Sequence, residues 1–595
     1  MSYCWIAVFV MGRGEWDLKR LVKDKRQLAD KIKMLEGDLD AFGRFRKGLN
    51  NRIKAEAFNK ILRALERIDE TESLLSGYGS LRYAEDTQSE ENSALKTMVT
   101  RLGSDVSNKT EFFYDWWMKG VDSRNAKRLA KGSGNLSYYL SYTRKLAKHS
   151  LSEPEERVLS TMSSTGISAW VKLYTTITNG FEYRLKLDGR VRSITREGIA
   201  TIVRTSEKPE TRRAAYDVLL SKYHENSKVL CEIYRNRVLN WKDTCIGLRK
   251  YGSPISARNM GNALDDKIVD ALLRSCRSNA GIFREFFRIK AKETGVKKLR
   301  RYDIYAPIKA RTKGRRYPYG YATKLVLDSW RALSPRLSSY AERVVRGNCI
   351  DYGTRKGKES GAFNARVTPS IPPYVQLSYN NDLQSLSTLA HELGHSIHYS
   401  AASGNSILTA RAALPLAESA STFSEELVSD SIMAGLDRDS LRSMLFRKFE
   451  DYYGTIARQA FLTLFEIGAH KKIAEGAADA ELNSVYYNNQ KEQFGDSVDV
   501  SRNFDIEWTS IPHIYRMPFY CYSYSFGNLL SLALFQRYKK EGSSFAKDYE
   551  GILSAGGSKD PRLLLEEYGF DISSSKFWGS GFDYLKGQLG ILKKS

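Results

Sequence analysis

Apolar residues recur at helical spacing from the first patterned stretch of the chain. Leu21, Leu28, Leu35 and Phe42 stand seven residues apart, with Ile32 and Leu39 filling the same stripe. A helix brings such positions to one face. After the break at Gly43–Asn51 a second stripe follows: Phe58, Ile61, Leu62, Leu65 and Ile68. The two predict a helical hairpin between Trp16 and about Leu75. The heptads are not sustained, so a hairpin packed on the rest of the chain is expected rather than a free coiled coil. Ser76–Ser80 (SGYGS) and Asp86–Asn92 read as turn-rich connections. Phe112, Phe113, Trp116 and Trp117 crowd one stretch and read as core.

Gly132–Asn135 breaks the chain before further helices, and residues 155–345 read as mostly helical, as in Thr211–Leu239 and Lys267–Gly295, with Pro318–Gly320 as an interruption. The pattern changes over Gly353–Tyr379. Pro369, Pro372 and Pro373 forbid a helix there. Gly361-Ala362-Phe363 and Tyr374–Tyr379 read as short extended segments. A helix is expected from about Asp382, a turn at Gly404-Asn405, a second helix near Leu416, more helix from Arg438 to Asn483, and a Tyr-rich loop from Ile511 to Gly527. The fold class is therefore mainly α with a small β element. Three sequential regions are expected: an N-terminal helical hairpin region (1–110), an N-terminal helical lobe (111–200) and a catalytic region (201–595).

Composition narrows the function. Lys and Arg number 93 against 69 Asp and Glu, a net charge of +24 over 595 residues, and 42% of residues are hydrophobic. That is enough apolar material for a large interior and excludes a disordered chain. The basic residues are scattered, with short runs at Lys297–Arg301 and Lys309–Arg316. No zinc finger, aromatic RNA-binding signature or basic zipper accompanies them, so no specific nucleic-acid binding is expected. The charge can instead favour acidic peptides. Cys4, Cys231, Cys245, Cys276, Cys349 and Cys521 are far apart and unpaired at metal spacing, which suits reduced thiols in a cytoplasmic protein. Tyr3–Met11 is apolar but too short to span a bilayer, and it lacks the positive residues that usually precede a signal sequence. It reads as a leader segment, with Met11 as an alternative start. No membrane span is expected.

The chemistry is concentrated in one stretch. Three of the seven histidines fall between His391 and His398, within Thr388-Leu-Ala-His391-Glu392-Leu-Gly-His395-Ser-Ile-His398. In H-E-x-x-H on a helix, the two imidazoles lie one turn apart on one face and can hold one divalent ion. Zinc accepts neutral imidazole and needs a third protein ligand plus an open position for hydrolysis. Glu392, beside the first ligand, is the candidate general base and proton carrier. A third histidine six residues past His395 is excluded, because Ala401 stands there. The candidate third ligand is Glu418, 27 positions after His391 in Leu416-Ala-Glu418-Ser-Ala-Ser. Small residues at 417, 419, 420 and 421 allow close helix approach. Glu425, two turns on, is the runner-up as ligand or the group that holds His391 or His395 from behind. His398 reads as structural.

Several of these segments, taken together, resemble the oligoendopeptidase F branch of the thimet oligopeptidase family of zinc metallopeptidases. They are Gly361-Ala-Phe, Thr388–His398, Ala417-Glu-Ser-Ala-Ser-Thr and His513-Ile-Tyr515-Arg-Met-Pro-Phe-Tyr520-Cys-Tyr522-Ser-Tyr524-Ser-Phe-Gly527, with Tyr302-Asp-Ile-Tyr305-Ala-Pro-Ile before the basic run. The likeness extends over nearly the whole chain, from Trp16-Asp-Leu onward. It implies a two-lobed helical metallopeptidase with a deep central channel, one Zn2+ per chain, and short peptides as substrates. By resemblance, His513 and Tyr524, with Tyr520 and Tyr522 beside them, hydrogen-bond the oxyanion or the substrate. Gly361, Ala362 and Phe363 would form the edge strand along which the peptide backbone lies. Two other readings compete: a non-catalytic peptide-binding homologue, and a basic nucleic-acid-associated protein.

Overall fold

The structure is a computed structural model that describes residues 14–308 and 315–595. The expectations for Tyr3–Met11, for Cys4 and for most of the run Lys309–Arg316 fall outside these residues. The chain is mainly helical. No helix among the described residues is long and apolar enough to cross a membrane.

The opening stripes form helices α1 (Lys25–Gly43) and α2 (Ala55–Glu85), followed by α3 (Glu90–Asp115). Asp24 stops α1 from reaching back to Trp16, because its carboxylate caps the helix by accepting from the Gln27 N–H at 2.8 Å. Leu35, Leu39 and Phe42 of α1 meet Phe58, Ile61, Leu62, Leu65 and Ile68 of α2 in one buried cluster. Phe113 and Trp117 are buried in the same cluster, with Phe58 stacked on Trp117 at 5.1 Å between centroids. The turn expected at Ser76–Ser80 is not there: α2 runs through it. Gly77 and Gly79 serve packing instead. A Cβ at Gly77 would come to 2.9 Å of Val367, and one at Gly79 to 2.6 Å of Val99. Ser89 caps α3 where the second connection was expected.

Among the described residues seven short strands make three small sheets: β1 (Tyr183–Leu187), β2 (Arg190–Ile194), β3 (Leu299–Arg300), β4 (Ile350–Asp351), β5 (Phe363–Ala365), β6 (Tyr374–Gln376) and β7 (Val498–Asp499). β1 and β2 form an antiparallel hairpin, β3 and β7 a parallel pair, and β4-β6-β5 a mixed sheet with β5 on the edge. The β1–β2 hairpin interrupts a region read as helical. Its signal was Asp188-Gly189, both at positive φ (49° and 82°), the dipeptide that a tight hairpin turn favours. β5 starts at Phe363, so Gly361 and Ala362 precede the strand rather than belong to it.

The contacts divide the chain into two compact units. One comprises Met1–Lys148, Gly314–Ala434 and Leu534–Phe570; the other comprises His149–Lys313, Gly435–Ala533 and Asp571–Ser595. Within the first, α4 (Leu383–Ala401) and α5 (Leu414–Met433) lie against each other. Asp382 caps α4 by accepting from the Ser385 N–H at 2.7 Å. The approach is close because Gly394 has no side chain. A Cβ there would stand 2.7 Å from Ala420 O and Ser421 Cα. Trp330 donates its Nε1–H to Ser424 Oγ on α5 at 2.9 Å, in the buried interior. Within the second unit, α6 (Arg458–Ala474) packs Phe465 against Trp508, and the buried pairs Arg301–Glu507 and Arg212–Asp303 close at 2.6 and 2.7 Å. The stretch 511–527 is not one loop. Pro512 opens a short helix to Arg516, and α7 (Tyr522–Glu541) begins before the stretch ends.

Candidate metal centre

The four-residue spacing on α4 brings the His391 and His395 rings together, centroids 4.9 Å apart and nearly perpendicular at 82°. The close approach of α5 brings in Glu418, whose Oε2 is 3.8 Å from Nε2 of His391 and 3.8 Å from Nε2 of His395. Their ligand-type atoms all lie within 4.8 Å of one another, the one such group of histidines, cysteines and acids found among the described residues. An ion about 2.1 Å from each of three tetrahedral ligands needs those atoms roughly 3.4 Å apart. The two carboxylate–imidazole spacings are a few tenths of an ångström wider, and the group as a whole extends to 4.8 Å, so a bound ion would draw the two rings together by about an ångström. Two imidazoles and a carboxylate are also a donor set that zinc takes in hydrolytic sites.

The groups behind the cluster orient it. Nδ1 of His391 lies 2.8 Å from Oε1 of Glu425, and Ser387 donates to the other Glu425 oxygen at 2.6 Å. A carboxylate accepts, so Nδ1 carries a proton, and Nε2 is the ring nitrogen on the side of Glu418. Ser387 was not singled out in the sequence; its signal is its place one turn before His391 on the same face. Asn364 was also missed. From edge strand β5 its Nδ2 donates to Glu392 O at 2.8 Å and to Ser396 Oγ at 2.6 Å, tying the strand to α4.

Electrostatics separate the roles. Burial pulls His391 down, but its hydrogen bond to Glu425 and the charges of Glu425, Glu392 and Glu418 outweigh it and carry it to about 9. Burial, aided by His391 and His398, pulls His395 down to about 3, so its imidazole is neutral, the form that binds metal. Burial raises Glu392 to about 7; the His391 charge opposes that shift, and Glu418 and Glu425 add to it. A carboxylate poised near neutrality both takes and returns a proton readily. Burial raises Glu418 as well. His398 is buried, and burial followed by the Arg366 charge holds it near 4.

The remaining expected residues are distributed as follows. His513, on the short helix Pro512–Arg516, lies 6.2 Å between centroids from Tyr520 and 6.1 Å from Tyr524, and these two tyrosines are 5.2 Å apart. Burial, then Arg458, Arg516 and Arg196, keep His513 below the ordinary histidine value. Tyr522, expected beside the substrate, faces the interior. It is fully buried, and its hydroxyl accepts from Asn262 Nδ2 at 2.8 Å. Helix periodicity decides this: on α7 the residues two apart, Tyr522 and Tyr524, face different ways. Gly361 (φ +93°) and Ala362 are exposed beside half-buried Phe363, whose ring lies 6.3 Å from Trp16.

Comparison with known proteins identifies the family. The profile described as Peptidase family M3 matches residues 202–584, and one described as Oligopeptidase F matches residues 127–183. The chain is similar to oligopeptidase PepF of Bacillus subtilis, 26% identical over 72% of this chain and 64% of that one. It is also similar to an oligoendopeptidase F homolog of Borreliella burgdorferi, 24% identical over 98% of both. A crystal structure from Chlamydophila abortus shares the fold, with a TM-score of 0.86, 21% identity and 98% of each chain covered. Residues 202–584 hold the histidine pair, Glu418 and the His513–Tyr524 group, and the chain belongs to peptidase family M3, in its oligoendopeptidase F branch.

Proposed function

We propose that this peptidase is a zinc-dependent oligoendopeptidase, with one zinc per chain held by His391, His395 and Glu418, that hydrolyses internal bonds of short peptides. The observation that carries the reading is the convergence of two imidazoles and one carboxylate within 4.8 Å, with Glu392 next to the first ligand. The names of the relatives, oligopeptidase and oligoendopeptidase, support short peptides as substrates. The five described cysteines are free and buried, which supports a cytoplasmic setting.

When bound, zinc supplies Lewis acidity that makes water nucleophilic near neutral pH and polarises a carbonyl. The chain's own residues do the rest. Glu392, raised toward neutrality, accepts the proton of the attacking water and returns it to the departing amine nitrogen. Glu425 holds the His391 ring through Nδ1. Edge strand β5 offers a backbone for strand addition by an extended peptide. We assign His513 and Tyr524, with Tyr520, as hydrogen-bond donors to the oxyanion; their family likeness and their mutual grouping support this. A channel that admits short peptides and excludes folded ones belongs to the same reading.

The test is Glu392→Gln with metal analysis and a mixed peptide library read by mass spectrometry. The expected result is about one zinc per chain before and after, with turnover lowered at least about a hundredfold. Cleavage at the unaltered rate overturns the proton role of Glu392, and a preparation active without any bound metal overturns the metal reading.

A further inference from the structure

Arg366 is the residue that follows edge strand β5. Its guanidinium carbon lies 5.9 Å from the centroid of the Tyr399 ring, and Tyr399 stacks on His395 with centroids 6.0 Å apart and planes 16° apart. Nη1 of Arg366 is buried and has no hydrogen-bond partner. Arg411, exposed in the turn before α5, is the other cation acting on this place. Among the described residues neither arginine has an ion-pair partner. Burial, with the Arg411 charge added to it, holds Arg366 below the ordinary arginine value, and Tyr399 works the other way.

Several cations taken out of water elsewhere in the chain meet a carboxylate, as Arg212 meets Asp303, Arg301 meets Glu507, and Lys358 meets Asp351, at 2.6–2.7 Å, and buried Arg237, which pairs with no acid among the described residues, donates to Tyr515 O at 2.9 Å. Arg366 is desolvated, has a like charge for a neighbour, and has no acid. Such an arrangement weakens a fold unless an anion completes it. It lies one aromatic ring from a candidate metal ligand and directly after the strand to which a peptide backbone can add. Guanidinium groups bind carboxylates through paired, directional N–H bonds.

We infer that Arg366, with the charge of Arg411 adding to the local positive potential, forms a binding subsite for a carboxylate of the peptide, beside Tyr399. This deepens the peptidase reading above and rests on it. The carboxylate is either an Asp or Glu side chain or the peptide's own C-terminus. The subsite makes acidic peptides better substrates than neutral isosteres.

The experiment compares two peptides that differ only by Glu against Gln at one position, each with a free and an amidated C-terminus. They are read as kcat/KM with the unaltered protein, Arg366→Gln, Arg366→Lys and Arg411→Gln. The expected ratio favours the carboxylate-bearing peptide by about tenfold or more, falls toward one in Arg366→Gln, is reduced in Arg411→Gln and is partly kept in Arg366→Lys. The preference also shrinks as salt is raised. Loss of preference on amidation alone assigns the subsite to the C-terminus, and its persistence assigns it to the side chain; either supports the inference. In parallel, anisotropy of the same peptides, fluorescently labelled, on Glu392→Gln reads binding without turnover. If no peptide is cleaved but the acidic one still binds more tightly and loses that advantage in the Arg366→Gln background, the subsite stands and the hydrolase reading falls. Equal kcat/KM and equal binding of acidic and neutral peptides, or a preference untouched in Arg366→Gln and Arg411→Gln, overturns the subsite.

Discussion

His391 is held between two acids on one helix: Glu425 lies 2.8 Å from its Nδ1, and Glu418 lies 3.8 Å from its Nε2. They stand seven residues apart on α5, two turns along one face. One ring nitrogen is fixed by a hydrogen bond so that the other is free to act as a ligand.

Removing that hold is expected to loosen the metal rather than unfold the protein. In Glu425→Ala, His391 and Ser387 both lose their partner. Zinc affinity, measured by competition with a chelating dye, is expected to fall about ten- to a hundredfold. An unchanged affinity would show that Glu425 does not orient the ligand.

Gly394 is expected to tolerate nothing larger. In Gly394→Ala the new Cβ meets backbone at Ala420 and Ser421, at 2.7 Å, where no side chain can swing away. α4 and α5 must separate, with a loss of about 1–3 kcal/mol and poorer retention of zinc. Thermal unfolding and metal content of the same preparation read both effects, and a variant equal to the parent in both would mean that the helices are not held this close.

Two tyrosines separated by one residue are expected to behave differently. Tyr522→Phe takes from buried Asn262 its nearer hydroxyl partner, leaving only Ser523 Oγ at 3.4 Å. It should lower stability by about 1–3 kcal/mol while changing KM little. Tyr524→Phe should lower kcat about ten- to a hundredfold with stability nearly kept. Denaturation curves and steady-state kinetics on both variants decide the matter; a reversed pattern would exchange their roles.

Glu466 sets a pH dependence of stability. On α6 it is wholly buried, and its Oε1 accepts from the Phe519 N–H at 2.9 Å. Phe519 stands at φ +56°, a conformation that needs such support. Burial pushes the carboxyl up to about 8 from 4.5, against the hydrogen bond from Phe519 and the charges of Arg258 and Arg237. Between those values the folded state holds a proton that the unfolded chain has released. The unfolded state therefore binds fewer protons, and this group's contribution falls as pH rises through the window and levels off above it. Glu466→Gln, neutral throughout, is expected to melt close to the parent at pH 5 and above it at pH 8.5, by up to a few kcal/mol in stability. Parallel melting curves across pH would sink the assignment.

Much of the site and part of the fold were legible in the residues alone. Local periodicity makes α1, α2 and the hairpin core readable, because a stripe of Leu, Ile and Phe at 3.6-residue spacing has one face to bury. H-E-x-x-H is readable for the same reason: a helix converts a spacing of four into a shared face, and zinc chemistry then demands an acid, of which Glu418 and Glu425 were the candidates. What the chain order could not reveal depends on neighbours far away in sequence. Gly77 and Gly79 look like turn residues until Val367 and Val99 press against them inside α2. Tyr522 and Tyr524 look alike until the start of α7 turns one toward Asn262 in the core. The division of labour between Glu418 and Glu425, and the isolation of Arg366 and Arg411 from any acid, were decided only when α4, α5 and β5 packed together. Hydrogen-bond partners and desolvation are properties of that packing, and a linear pattern carries neither.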